Sequence, residues 1–173
     1  MEEVILVDTD DNEIGIMEKI EAHEKALLHR AFSVFIFNSK GEMLLQQRAK
    51  SKYHSGGLWT NACCSHPRKN ETTLAAAERR LNEEMGITVQ LKHIFSFTYK
   101  TNFDNGLTEH EFDHVFVGYY DGRPNINTNE VENYAYNTIN LLEENIKINS
   151  SLYTTWFLIA FPKVVKWWKL QQA

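Results

Sequence analysis

Cysteine is scarce in this chain: there are two, side by side at Cys63 and Cys64. Neighbours in sequence cannot clip a long loop, and their oxidised pair would be a strained bridge, so a disulfide-built fold is excluded and reduced thiols are expected. Long apolar runs are also missing. The longest near the end, Trp156 to Phe161, stops at Pro162, far short of the roughly 20 residues that span a bilayer. The start, Met1-Glu2-Glu3-Val4-Ile5-Leu6-Val7-Asp8, lacks the basic opening and apolar stretch of a secretory signal and is expected to stay in the mature chain. A large charge of one sign is absent too. The net charge of -5 and pI near 5.8 argue against an extended nucleic-acid surface, while a local cationic pocket for a small anion stays open. A soluble, cytosolic protein is expected, with no nucleic-acid partner and no stable membrane insertion.

What is present suits one globular unit. With 173 residues, 43% hydrophobic and 12% aromatic, the chain is long enough to bury a core and needs no second fold. Val4 to Asp8 and Gly15 to Ile20 read as extended pieces around the turn Asp10-Asp11-Asn12-Glu13, an N-terminal hairpin. Ala31 to Phe37, the turn Asn38-Ser39-Lys40-Gly41 and Met43 to Arg48 make a second. From Asn70 to Met85, Leu74, Ala77, Leu81 and Met85 recur at helical spacing, with Asn70 as N-cap and Gly86 as the stop. Ile94 to Lys100 and Asp113 to Tyr120 read as strands around Asp104-Asn105-Gly106. Asn140 to Asn145 and Leu152 to Leu170 read as helices, the latter interrupted at Pro162. The mixture favours an α+β fold, an α/β/α sandwich, over a doubly wound sheet.

Two stretches carry chemistry. Trp59-Thr60-Asn61-Ala62-Cys63-Cys64-Ser65-His66-Pro67 sets a thiol two residues from an imidazole, and Arg79-Arg80-Leu81-Asn82-Glu83-Glu84 sets Arg80 and Glu84 on one side of a helix. An extended Glu109-His110-Glu111 puts both carboxylates on one face. A site using His23, His29, His66, Glu109 and Glu111 would mix imidazole nitrogens with carboxylate oxygens, favouring Mn²⁺ or Mg²⁺ over a thiolate-rich zinc site. Each residue also has a plainer reading: Cys63 as a small buried hydrophobe, Arg80 and Glu84 as a surface ion pair, a scattered histidine as core or surface filler. Trp167 and Trp168 equally suit a packed core, a partner contact or an amphipathic helix with Lys163, Lys166 and Lys169.

In order and spacing, Lys19, His23, Arg48-Ala49-Lys50-Ser51-Lys52, the Trp59 to Pro67 segment, Glu109-His110-Glu111 and Trp156 resemble the type 1 isopentenyl-diphosphate Δ-isomerases, which are built on the Nudix fold. The resemblance covers nearly the whole chain. It implies a single domain over 1–173, with a Nudix core of about residues 27–160 completed by N-terminal strands and a C-terminal helix. The sheet would be mixed, flanked by helices and extended by the hairpin. Where a Nudix box has its initial Gly this chain has Ser65. Glu71 and Arg79 fit, and Arg80 replaces the usual Glu, which weakens a water-activating metal cluster and favours isomerisation over hydrolysis.

The resemblance also implies roles. Isopentenyl and dimethylallyl diphosphate would interconvert by proton transfer, with Glu111 and Tyr99 as donor, Cys64 as acceptor and Trp156 facing the tertiary cation. Mn²⁺ or a comparable ion would sit on His23, His29, His66, Glu109 and Glu111. Mg²⁺ would join Glu84 to the diphosphate, and Lys19, Arg48, Lys52 and Arg80 would clamp the anion. A Nudix hydrolase and a non-catalytic Nudix-like binding protein stand as rival readings. The first rests on Glu71, Arg79, Glu83 and Glu84; the second would bind metal or diphosphate without turnover.

Overall fold

The computed structural model describes residues 1–173. The chain runs β1 (Glu3–Val7), β2 (Glu13–Glu18), α1 (Lys19–Glu24), β3 (His29–Phe37), β4 (Glu42–Arg48), β5 (Trp59–Asn61), β6 (Cys63–Ser65), α2 (Thr73–Met85), β7 (Lys92–Asn102), β8 (Thr108–Tyr119), β9 (Val131–Thr138), α3 (Ile139–Ile148) and α4 (Thr155–Gln172). The strands form one mixed sheet in which β3 is central. It pairs parallel with β8 and antiparallel with β1, β4 and β6. β7 extends the sheet beyond β8, and β9 lies along β4.

Alternation along β3 divides the core into two layers. Phe32, Val34 and Ile36 pack with Ala76, Ala77, Leu81 and Met85 of α2. Phe35 and Phe37 face the other way, onto Leu142 of α3 and Phe157, Phe161 and Val164 of α4. Helices thus cover both faces, the sandwich expected from the sequence. No helix is long and apolar enough to cross a membrane.

Several boundaries differ from the sequence reading. Lys19 and Ile20 are not extended but open α1, where the Glu18 carboxylate accepts from the Glu21 amide at the N-terminus. Helix α2 starts at Thr73, capped by the Thr72 hydroxyl, which accepts from the Ala75 amide at 3.2 Å. Asn70 instead takes a left-handed turn, φ 63°. Leu74 is 41% exposed, so it lies off the buried stripe. Gly86 does stop the helix at φ 65°, and a Cβ there would lie 2.6 Å from the Asn125 carbonyl. Pro162 does not interrupt α4. Its missing donor costs on the order of 3 kcal/mol, but Phe157, Phe161, Val164 and Val165 are buried on both sides of it and keep the helix continuous. Strand β9, with Tyr134 and Tyr136 against the α2 layer, has no counterpart in the sequence reading.

Candidate active site

The register of β3 with its two neighbours builds the site. Ser33 pairs with Cys64 on β6, and Val34 pairs with Cys63. Successive side chains of a strand point to opposite faces, so the adjacent thiols part: Cys63 packs in the α2 layer, and Cys64 opens into a cavity on the α4 side. Across β3, His29 pairs directly with Glu111 of β8. Glu109, Glu111 and Asp113 occupy alternate positions of β8 and are all buried, continuing the face whose apolar end holds Val115 and Val117.

His23 from α1, His29 from β3, His66 just past β6 and Glu111 bring their ligand atoms within 4.8 Å of one another. The rings are held by their outer nitrogens. His23 Nδ1 donates to the Lys19 carbonyl at 2.6 Å and His29 Nδ1 to the Leu27 carbonyl at 2.9 Å, which turns each Nε2 inward with its lone pair. His29 Nε2 is buried without a hydrogen-bond partner and stands 3.6 Å from Glu111 Oε1. Two lone pairs facing each other call for a cation between them. Burial and the neighbouring His66 push the His23 imidazole down to about 4, so it is neutral and ligand-ready at neutral pH. Burial pushes Glu111 up, but protonated imidazoles at His29 and His66, standing where a bound cation would, outweigh it and hold the carboxyl well below the usual range. The donor set fits a divalent ion.

Glu109 stands beside this group rather than among its converging atoms. The Tyr99 hydroxyl is placed between the two carboxylates, 3.0 Å from Glu109 Oε2 and 2.7 Å from Glu111 Oε2. Burial and the charge of Glu111 drive the Glu109 carboxyl well up. The pair therefore holds a proton in a place where both cannot ionise without added positive charge.

The thiol is held as firmly. The Asn61 amide nitrogen donates to the carbonyls of Val34 and Cys63 at 3.0 and 2.9 Å, which aims its oxygen at Cys64 Sγ, 3.1 Å away. Ser33 Oγ lies 3.5 Å from the sulfur and donates to Asp113 Oδ2 at 2.7 Å. Burial first, then the Asp113 charge, push the thiol up, so it is protonated at rest. Trp156, in the first turn of α4 and 5% exposed, walls the cavity, and the Arg48 guanidinium sits 5.0 Å from its ring centroid.

The remaining cations ring the same cavity of about 640 Å³. Each is already paired: Lys19 with Glu2 at 3.1 Å, Lys52 with Glu130, and Arg80 with Glu84 at 2.5 Å. Glu84 is buried, which raises its carboxyl against the pull of Arg80, and it also accepts from Gln46 Nε2 at 2.8 Å. Lys19, His23, Arg48, Lys52, Cys64, His66, Arg80, Glu84, Tyr99, Glu109, Glu111 and Trp156 all line the cavity; His29 lies just behind it. Ser33, Asn61, Asp113, Glu2 and Glu130 were not singled out from sequence. Asp113 had a signal, two residues past Glu111 on the same strand face; Glu2 and Glu130 had none.

The chain is similar to known proteins over most of its length. Residues 27–157 match the family described as NUDIX domain. The chain is 50% identical over 167 residues to an isopentenyl-diphosphate Delta-isomerase of Pectobacterium atrosepticum, covering 96% of this chain and 93% of that one. It is 53% identical over 157 residues to one of Serratia proteamaculans, covering 91% and 88%. Among solved structures, a protein of Deinococcus radiodurans aligns with TM-score 0.71 at 21% identity, over 85% of this chain and 90% of that one. The MutT protein of Methanosarcina mazei aligns with TM-score 0.65 at 19% identity, over 80% and 94%. These two share the fold alone.

Proposed function

This chain belongs to the NUDIX family and, within it, to the isopentenyl-diphosphate Δ-isomerases, and from that premise we propose how its residues divide the work. The enzyme interconverts isopentenyl and dimethylallyl diphosphate. An unactivated alkene is a poor base, so a positioned acid must protonate it, and a base must then take a proton from the neighbouring carbon. The proton that Glu109 and Glu111 share across the Tyr99 hydroxyl passes by way of Glu111 to the terminal alkene carbon. The tertiary carbon becomes cationic beside the Trp156 ring. Cys64, as thiolate, takes the proton from the adjacent carbon, which forms the new double bond. The reverse reaction starts from the thiol, the form that burial favours at rest.

The observation that carries this reading is the placement of Cys64 and Glu111 on the two strands flanking β3, both facing one cavity. His23, His29, His66 and Glu111 would hold a divalent ion, with Glu109 joining when both carboxylates ionise; the added carboxylate oxygens bring the mixed donor set within reach of Mn²⁺. That ion would supply fixed positive charge beside buried carboxylates. Glu84 would share Mg²⁺ with the diphosphate, and Lys19, Arg48, Lys52 and Arg80 would grip its oxygens. Arg80, paired with Glu83 at 2.8 Å, puts a cation where a hydrolytic metal cluster would need a further carboxylate, and weighs against diphosphate cleavage.

Proton NMR of the purified protein with isopentenyl diphosphate and Mg²⁺ in deuterated water tests the proposal. Dimethylallyl diphosphate should form with deuterium incorporation and stop on chelation, and Cys64→Ala and Glu111→Gln should each remove it in folded protein. Near-normal turnover in either variant refutes the assigned roles.

A further inference from the structure

Two loops meet above the cavity and take no part in the chemistry so far. One joins β4 to β5 and carries Tyr53 and His54; the other joins β7 to β8 and carries Phe103. The His54 imidazole stacks on the Phe103 ring, with centroids 4.8 Å apart and planes 19° from parallel. It stands edge-on to Trp156 at 5.7 Å and 89°, and Phe103 meets Trp156 at 6.4 Å and 81°, so the three rings close a triangle. Tyr53 backs His54 at 4.4 Å.

His54 is held in place from several directions. Its carbonyl accepts from Arg48 Nη2 at 3.3 Å, and its Nδ1 lies 3.2 Å from the hydroxyl of Ser55. Ser55 itself sits at φ 53°, a left-handed conformation that non-glycine residues seldom adopt. Burial and the charges of Arg48 and Lys19 push the imidazole down to about 3, so a neutral ring stands among cations. Tyr53, His54 and Trp156 line the cavity.

The isomerisation makes particular demands on such a group. Between its two proton transfers the substrate carries a tertiary carbon cation. A water reaching that carbon would form a C–O bond and lose a proton, giving the tertiary alcohol diphosphate in place of the alkene. A wall that presents ring faces and edges keeps that water away, and it also bounds the space left for the hydrocarbon.

We propose that His54 is a specificity-determining residue and Phe103 a positioning residue: His54 and Trp156 roof the cavity, held by the Phe103 ring behind them, keep water from the cationic carbon and limit the hydrocarbon tail to five carbons. This rests on the isomerase reading given above. Packing that merely joined two loops would change stability and leave product identity untouched.

The test uses the full metal-loaded chain and the variants His54→Ala, Phe103→Ala and His54→Phe, with thermal melts to confirm folding. Each receives isopentenyl diphosphate in ¹⁸O-water, and mass spectrometry counts labelled tertiary alcohol beside dimethylallyl diphosphate. Each is also given the homologue bearing an ethyl group in place of the branching methyl. The alanine variants should divert at least about one turnover in a hundred to labelled alcohol and raise the homologue-to-parent ratio of kcat/KM about 10-fold, the discrimination one methylene typically commands. His54→Phe should match the unsubstituted chain in both. Unchanged product and substrate ratios in both alanine variants, or His54→Phe behaving like His54→Ala, overturn the roof. A readout free of turnover is calorimetric binding of a diphosphate ester whose tertiary ammonium mimics the cation, relative to inorganic diphosphate. That affinity ratio should fall about 10-fold in His54→Ala, and in Phe103→Ala should His54→Ala fail to fold. An unchanged ratio refutes the roof even if the unsubstituted chain does not turn over, an outcome that would separately sink the isomerase reading.

Discussion

The two ends of the cavity are prepared in opposite ways. At the reacting end, polar atoms are buried and left short of partners: His29 Nε2 and His66 Nδ1 have none, and Glu109 and Glu111 are pressed together across one hydroxyl. At the anion end the charges themselves are met, since Lys19, Lys52 and Arg80 each hold a carboxylate, although the Nε atoms of Arg48 and Arg80 lack a partner. Unmet valence at one end invites a cation. Pre-neutralised charge at the other holds long side chains in position and yields only to a stronger anion. The two ends should therefore fail differently when mutated.

The largest effect is expected at the reacting end. Cys64→Ala and Glu111→Gln should each lower kcat by about 10³-fold or more with little change in KM, because each removes a proton-transfer group and leaves the diphosphate grip intact. Steady-state kinetics on folded variants checks this, and a loss confined to KM would erase the contrast between the ends. Lys52→Ala should do the reverse, raising KM roughly 10- to 100-fold with kcat nearly kept, the loss typical of a charge-assisted contact.

Acid should act on the metal-free reacting end. His23 is held at about 4 against about 6.5 in an unfolded chain. Between those values the unfolded chain binds a proton that the folded chain refuses, so stability is kept above pH 6.5 and lost as pH falls toward 4. Urea unfolding with chelator should show a loss of about 2 kcal/mol from pH 7 to pH 5 from this residue, and His23→Gln should reduce that loss; an equal loss in the variant would reassign it. The smallest effect tests the anion end with opposite sign. Glu130→Gln frees Lys52 and relieves Arg80, which lies 3.6 Å from Glu130, and should lower KM about threefold. A rise in KM would mean that Glu130 orients the cations instead of competing with substrate.

The contrast also sorts what the sequence made legible. The reacting residues sit in short motifs whose order and spacing carry a family resemblance, and strand alternation alone placed Glu109 and Glu111 on one face. The cations of the anion end were legible as a set, but their partners were not. Glu2 meets Lys19 just beyond the Glu3–Glu18 pair of the β1–β2 hairpin, a register the turn residues leave open, and Glu130 arrives on the loop before β9, whose place beside β4 depends on sheet order that no local pattern encodes. Strand β9 escaped because Val131-Glu132-Asn133-Tyr134-Ala135-Tyr136 alternates weakly, with polar residues where a half-buried edge permits them. Pro162 misled for the converse reason: the local rule is sound, and tertiary burial on both sides of it is stronger.

The direct opposition of His29 and Glu111 across parallel strands has a consequence for how the chain matures. If β8 slid by one residue against β3, His110 and Phe112 would turn toward the cavity and Glu111 would turn away. Such a chain could retain much of its hydrogen bonding yet would lack the carboxylate that closes the donor set. An ion present during refolding would then bind correctly aligned chains alone and draw the population toward them by mass action, so the metal centre would proofread strand alignment before any substrate arrives.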